Sequence, residues 1–196
     1  FLKNKLKLPI NREKSGICKP VQFEILGYGF VPTYVKGERG KYQLVVSQKG
    51  WHRLKQKVKA ATRKTSQHTF AERITKLKEI QRGWLNYFRM ASITGKLGSI
   101  DSWIRHRLRC CIWKNWKKAE RRRKNLIRLG VEQLQAYRWS RTRMGTWAVA
   151  QSPMLKTTIT LSRLRQRGYE SMLDYYKTIA PQLNEPLYAR PACTVV

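Results

Sequence analysis

Acid is what this chain has least of. Among 196 residues only 11 are Asp or Glu, and Asp101 and Asp174 are the only aspartates. Polymerases and nucleases that hold two metal ions need several clustered carboxylates. With no Asp-Asp pair in the sequence, no two-metal site and no catalytic residue are expected. Histidine is as scarce: His52, His68 and His106 lie far apart. His106 and Cys110 share a helical face at i,i+4, but two ligands do not make a zinc site. The four cysteines (Cys18, Cys110, Cys111 and Cys193) include no Cys-x-x-Cys spacing, which removes support for a zinc ribbon. Cys110 and Cys111 point to different sides of a helix, and all four read as free thiols of a reducing cytosol. No Gly-rich phosphate loop and no GxSxG nucleophile motif is present. No apolar run approaches a membrane span, and no signal peptide is seen. These absences predict a cytoplasmic chain with no metal, no cofactor of its own and no membrane partner.

What is abundant is positive charge carried beside aromatic rings. Lys and Arg number 42, giving a net charge of +31, and the aromatics are 7 Trp, 9 Tyr and 5 Phe. A surface this cationic repels itself, and a polyanion relieves the repulsion. The charge is spread evenly, with 22 basic residues in 1–100 and 20 in 101–196. A long or folded nucleic acid suits a wide basic surface better than a short site does. Apolar residues make up 41%, enough for a core. The chain opens on Phe1, inside a strand-like alternation, and reads as a piece of a longer protein.

Two kinds of periodicity divide the chain. Residues 1–46 carry strand signals: the KLKLPI alternation, then VQFEILGYGFVPTYV, then KGERGKYQLVV with a turn at Gly37–Gly40. They predict three or four short strands, one pair forming a hairpin. From Ser47 the period becomes helical. Ser47 caps a helix that buries Trp51, Leu54, Val58 and Ala61. Thr69 and Glu72 form a capping box for a second helix with Ile74, Leu77, Trp84, Leu85 and Phe88 inward. Gly95–Ser99 is expected to break the chain. Ser99 and Asp101 are expected to open a third helix, with Ile100, Ile104, Leu108, Cys111 and Ile112 on its buried face. After Gly130 the sequence predicts a short helix in VEQLQAYRWSRTR, a loop over MGTWAVAQSP, two closing helices and an irregular tail from Pro181. The fold class is mainly α with a small N-terminal β part. Its expected divisions are 1–46, a helical bundle over 47–130, and a helical extension over 131–196.

The candidate binding residues follow from the run RHRLRCCIWKNWKKAERRRK at 105–124, where ten of twenty positions are Lys or Arg. Cations reach phosphates, and aromatic faces stack on unpaired bases. Arg105, Arg107, Arg109, Trp113, Lys114, Trp116, Lys117, Lys118, Arg121, Arg122, Arg123 and Lys124 are nominated there. Lys57, Arg63, Lys64, Arg82 and Arg89 are nominated upstream. Burial preferences make Trp84, Phe88 and Trp103 core candidates instead. A solvated charge run is the bland alternative for Arg121–Arg123. With so few acids to pair them, phosphate contact is favoured.

The stretch LKEIQRGWLNYFRMASITGKLGSIDSWIRHRLRCCIWKNWKK resembles the maturase-specific domain, or thumb, of group II intron reverse transcriptases. The pattern is an RGWxxYF-like helix, a short break, then D-x-W-I-R-x-R-L-R leading into WKxWK. KLKLPINREKS and FEILGYGF resemble the last blocks of the reverse transcriptase palm. RLRQRGYESMLDYY resembles the C-terminal portion of bacterial members. The resemblance implies a remnant of palm, a thumb-like bundle and a C-terminal extension. Its implied partners are group II intron RNA and an RNA/DNA template–primer, in support of splicing and retrohoming. The family's Tyr-x-Asp-Asp motif is absent, so polymerase chemistry, with its Mg2+, is expected only with a separate fingers and palm piece. A second copy of the chain, paired through an unfilled strand edge, is a further candidate partner. The alternatives are a non-catalytic subunit of an RNA-directed DNA polymerase, or a generic basic nucleic-acid-binding protein.

Overall fold

The computed structural model describes Lys5, Gly16, residues 18–33 and residues 41–180. The KLKLPI strand after Lys5, the Gly37–Gly40 turn and the tail from Pro181 lie outside the described residues.

A 3-10 turn at Pro20–Gln22 leads into β1 (Glu24–Ile25), β2 (Tyr28–Pro32) and β3 (Tyr42–Val46), an antiparallel sheet in that order. Ile25 pairs with Tyr28, leaving Leu26-Gly27 as a two-residue turn with φ of 51° and 82°. Two positive φ values define the type I′ turn, whose twist matches that of the strands it joins. Only glycine suits the second position, where an added Cβ would also stand 3.2 Å from the Phe88 ring. The hairpin is pinned from both sides. The Ser47 N–H donates to the Gly27 carbonyl at 2.8 Å, and the Tyr87 hydroxyl donates to the Leu26 carbonyl at 2.9 Å.

Helix α1 (Gln48–Ala61) starts where expected: the Ser47 hydroxyl accepts from the Gly50 N–H at 3.2 Å. It buries Trp51, Leu54 and Val58. The capping box of Thr69 and Glu72 opens α2 (Phe70–Tyr87), which buries Ile74, Leu77 and Leu85. Helix α3 (Thr94–Asn115) departs from the expectation. Gly95–Ser99 is its first part, not a break, and Asp101 lies two turns inside it. Each glycine costs roughly 1 kcal/mol of helix propensity relative to Ala. Burial of Leu97 and Ile100 outweighs that, and no neighbour lies within 4 Å of a Cβ built at Gly95 or Gly98. The break falls earlier, at Phe88–Ile93. There the Tyr176 hydroxyl donates to the Ala91 carbonyl at 2.9 Å.

Helices α4 (Ala119–Arg128) and α5 (Gln133–Ser140) form a pair around Gly130, whose φ is 87°. The stretch expected to loop over MGTWAVAQSP instead contains α6 (Thr146–Gln151) and the start of α7 (Pro153–Thr158). Val149 and Ala150 of α6 are buried, with α6 packed on α3, and that packing makes the segment helical. Helices α8 (Leu161–Gln166) and α9 (Met172–Ile179) close the described chain, and α9 packs on α2 and α3. The buried residues of all these helices form one core running from Val46 to Tyr176. The protein is mainly helical, with a small antiparallel sheet at its N-terminal side.

Candidate nucleic-acid interface

Many nominated cations turn out to be occupied. Arg107 donates from Nη2 to the carbonyls of Lys59 at 3.2 Å and Thr62 at 3.3 Å, at the C-terminus of α1. Arg122 donates to the Trp116 carbonyl at 2.9 Å, at the end of α3, and its guanidinium lies 4.6 Å from the Trp113 ring. Arg109, 6% exposed, donates to the Ile159 carbonyl at 3.0 Å, just past α7. Arg163 reaches the Leu129 carbonyl at 2.9 Å, at the end of α4, and also the Thr158 carbonyl. The last carbonyls of a helix lack intrahelical donors and form the negative end of its dipole. In a chain short of acids, arginine satisfies them. Scarcity of carboxylates therefore does not by itself leave an arginine free for phosphate.

Two corrections follow. Arg109 is enclosed, and Trp113, 2% exposed, is a core ring packed 5.9 Å from Trp116. Neither side chain presents a surface to a ligand. Arg82 pairs with Glu170 at 2.9 Å and lies over Tyr175, while Arg123 pairs with Glu120 at 2.7 Å. Trp116 is half-buried at the α3 C-cap, and Arg105 is half-buried on α3. Lys57, Arg63, Lys64, Arg89, Lys114, Lys117, Lys118, Arg121 and Lys124 are exposed. His106 sits half-buried near Arg109, Lys156 and Arg105, edge-on to Trp147. Burial first, and then those cations, lower its pKa from the usual imidazole value. Its i,i+4 neighbour Cys110 donates to the Thr146 carbonyl, and burial pushes that thiol up to about 11. Among the described residues no three His, Cys, Asp or Glu side chains are grouped to hold a metal ion.

A groove runs between α1 and α2. Its open end, about 890 Å³, is lined by Lys57, Arg63, Thr65, Ser66, His68 and Lys76. Its deeper end, about 650 Å³, reaches the β1–β2 turn and is lined by Lys49, Arg53, Gly83, Trp84, Tyr87 and Phe88 among others. Lys57, Glu79 and Ile80 belong to both ends, so the two adjoin. Lys49, Arg53 and Lys57 follow one another at i,i+4, about 6 Å apart along the helix. Among the described residues Arg53 and Lys57 make no ion pair, whereas Lys49 meets Glu24 at 3.1 Å. His68 bridges Glu72 at 3.2 Å and Lys76 at 3.1 Å.

The wall at the open end is fixed by a residue that the sequence reading passed over. Arg73 is 1% exposed and donates to the carbonyls of Arg63, Ser66 and His68, the last at 3.1 Å. One guanidinium thus ties down the loop from α1 to α2. Nothing in the local pattern distinguishes Arg73 from the surface cations around it, except its position one residue before Ile74 on the inward side of α2.

A basic helical bundle whose first two helices frame a cationic groove is the class of protein this arrangement defines. Residues 51–130, from the first turn of α1 to the end of the α4 turn, match the family described as Group II intron, maturase-specific domain. That stretch is similar to the maturase-specific domain, which supports a maturase role in group II intron splicing and implies the intron RNA as a partner. No curated protein matches the chain. Among the described residues no helix is long and apolar enough to cross a membrane.

Proposed function

We propose that the chain holds structured group II intron RNA in the α1–α2 groove and on the exposed cations beside it, stabilising the RNA fold that splices. The same surface serves the template–primer during retrohoming, when fingers and palm are joined to it. The observation that carries the reading is the coincidence of groove and family: the open end lies within 51–130 and the deep end mostly so, and Arg53 and Lys57 on the α1 wall make no ion pair among the described residues. Phosphate contacts supply most of the affinity of such surfaces, while unpaired bases supply selectivity. In this reading the chain's own residues take no cofactor, and Mg2+ belongs to the complete reverse transcriptase.

Photo-crosslinking tests the placement. A structured group II intron RNA carrying 4-thiouridine is irradiated with the full chain, and the crosslinked peptides are mapped by mass spectrometry. Peptides from 48–61 and 74–89 are expected to dominate. Crosslinks confined to 131–180 would contradict the groove.

A further inference from the structure

Gly83 is the clue to what the deep end of the groove receives. It lies inside α2, where glycine costs a helix stability, and its φ is not in the left-handed region. A Cβ built there meets nothing within 4 Å, so no neighbour in the fold demands glycine. It lines the deep cavity. A glycine lining a cavity leaves room for a ligand to approach the backbone.

The neighbouring side chains indicate the ligand. Trp84 lines the same cavity, held 4.7 Å from Trp51 and 4.8 Å from Phe88 by ring contacts. Its indole nitrogen is sealed from water and has no hydrogen-bond acceptor among the described residues. An indole N–H can only donate, and a buried donor without a partner is rare enough to require a reason. Glu24 and Glu79 line the cavity together with Lys49, Arg53 and Lys57, and Lys49 is paired with Glu24 at 3.1 Å. Arg53 and Lys57 on the α1 wall are left for phosphates, while Gly83, Trp84 and Phe88 on the α2 side are uncharged. A flat, neutral group bearing an acceptor, tethered to phosphates, fits all of these conditions.

Resting on the RNA-binding reading above, we infer that the cavity at Gly83 and Trp84 receives one unpaired nucleobase of the bound RNA. The base lies against the α2 backbone at Gly83 and beside the Trp84 ring, and its flanking phosphates lie along Arg53 and Lys57. A cavity of about 650 Å³ has room for one base with its sugar and for water beside them.

Two RNA hexamers of equal charge, hexa-adenylate and its abasic counterpart, test this with the full chain. The native protein is expected to bind hexa-adenylate at least about five-fold more tightly, the lower bound for stacking one base. Gly83→Leu puts a branched side chain where the base would lie against the backbone. It is expected to bind both hexamers at the abasic level while melting roughly 2–4 °C higher, since helix propensity rises. The indole N–H resonance absent from Trp84→Phe identifies Trp84. It is expected to move with hexa-adenylate and to stay with the abasic hexamer. Base preference retained by Gly83→Leu, or an unmoved Trp84 resonance, overturns the inference. A native protein that binds intron RNA yet ignores the base loses the pocket alone; one that binds neither hexamer nor intron RNA loses the RNA-binding reading as well.

Discussion

Asp101→Ala is expected to destabilise the fold by about 3–5 kcal/mol, the range for breaking a buried charged network from one side. Asp101 is 2% exposed and accepts four hydrogen bonds. The Tyr169 hydroxyl donates at 3.0 Å, the Met172 N–H at 2.9 Å, the Leu173 N–H at 3.1 Å, and the Ser171 hydroxyl completes the set. Ser171 is itself the N-cap of α9, so a carboxylate on α3 satisfies the orphan donors at the start of another helix. Burial, and then the Asp101 charge, push the Tyr169 phenol far above its usual range, which keeps it a donor. Removing the carboxylate strands all four donors in the core. Thermal unfolding should fall by roughly 6–20 °C, and amide exchange should show α9 losing protection before α1 and α2. Asp101→Asn, which keeps an acceptor but turns an NH2 toward donors, should fall between. A loss under about 1 kcal/mol would contradict this account of Asp101.

The second large effect is on RNA. Replacing Arg53, Lys57 and Lys76 together by Glu is expected to weaken intron RNA binding by two to three decades at about 0.1 M salt. Three lost phosphate contacts should also flatten the log–log salt slope by about 2.7. All three side chains are exposed, so stability should hardly change. The control reverses Arg138, Lys156 and Lys177, which are exposed on other elements and alter net charge equally. Electrophoretic mobility shift at several salt concentrations measures both. Equal losses from the two triples would mean that net charge acts without regard to the groove.

How legible this was depends on the range of the signals. The starts of α1 and α2 were written locally, in Ser47 and in the Thr69–Glu72 capping box, and both occur as read. The inward positions of all three long helices followed from the 3.6 period. Two boundaries were misread because burial overrode propensity: two glycines suggested a break in what is α3, and Ser152-Pro153 with its neighbours suggested a loop in what is α6 and α7. The groove was legible only in part. Lys57 and Arg63 were nominated, but Arg53, His68, Lys76 and Gly83 were not, because they converge only once α1 and α2 are packed. Asp101 looked like a helix-start residue and is a clamp for a segment about seventy residues later. The arginines were hardest. Arg73, Arg107, Arg109 and Arg122 lie in the same basic sequence as the exposed lysines, and only the positions of helix C-termini and loop carbonyls separate them.

The measurement closest to the central claim is a salt-series titration of the full chain with a structured group II intron RNA, competed by an unstructured RNA of equal length. If 6–10 phosphates are contacted, affinity should fall roughly 10³–10⁵ between about 50 and 200 mM salt, and the unstructured RNA should displace little of the complex. A flat salt response, or equal displacement by both RNAs, would contradict a groove that holds folded intron RNA.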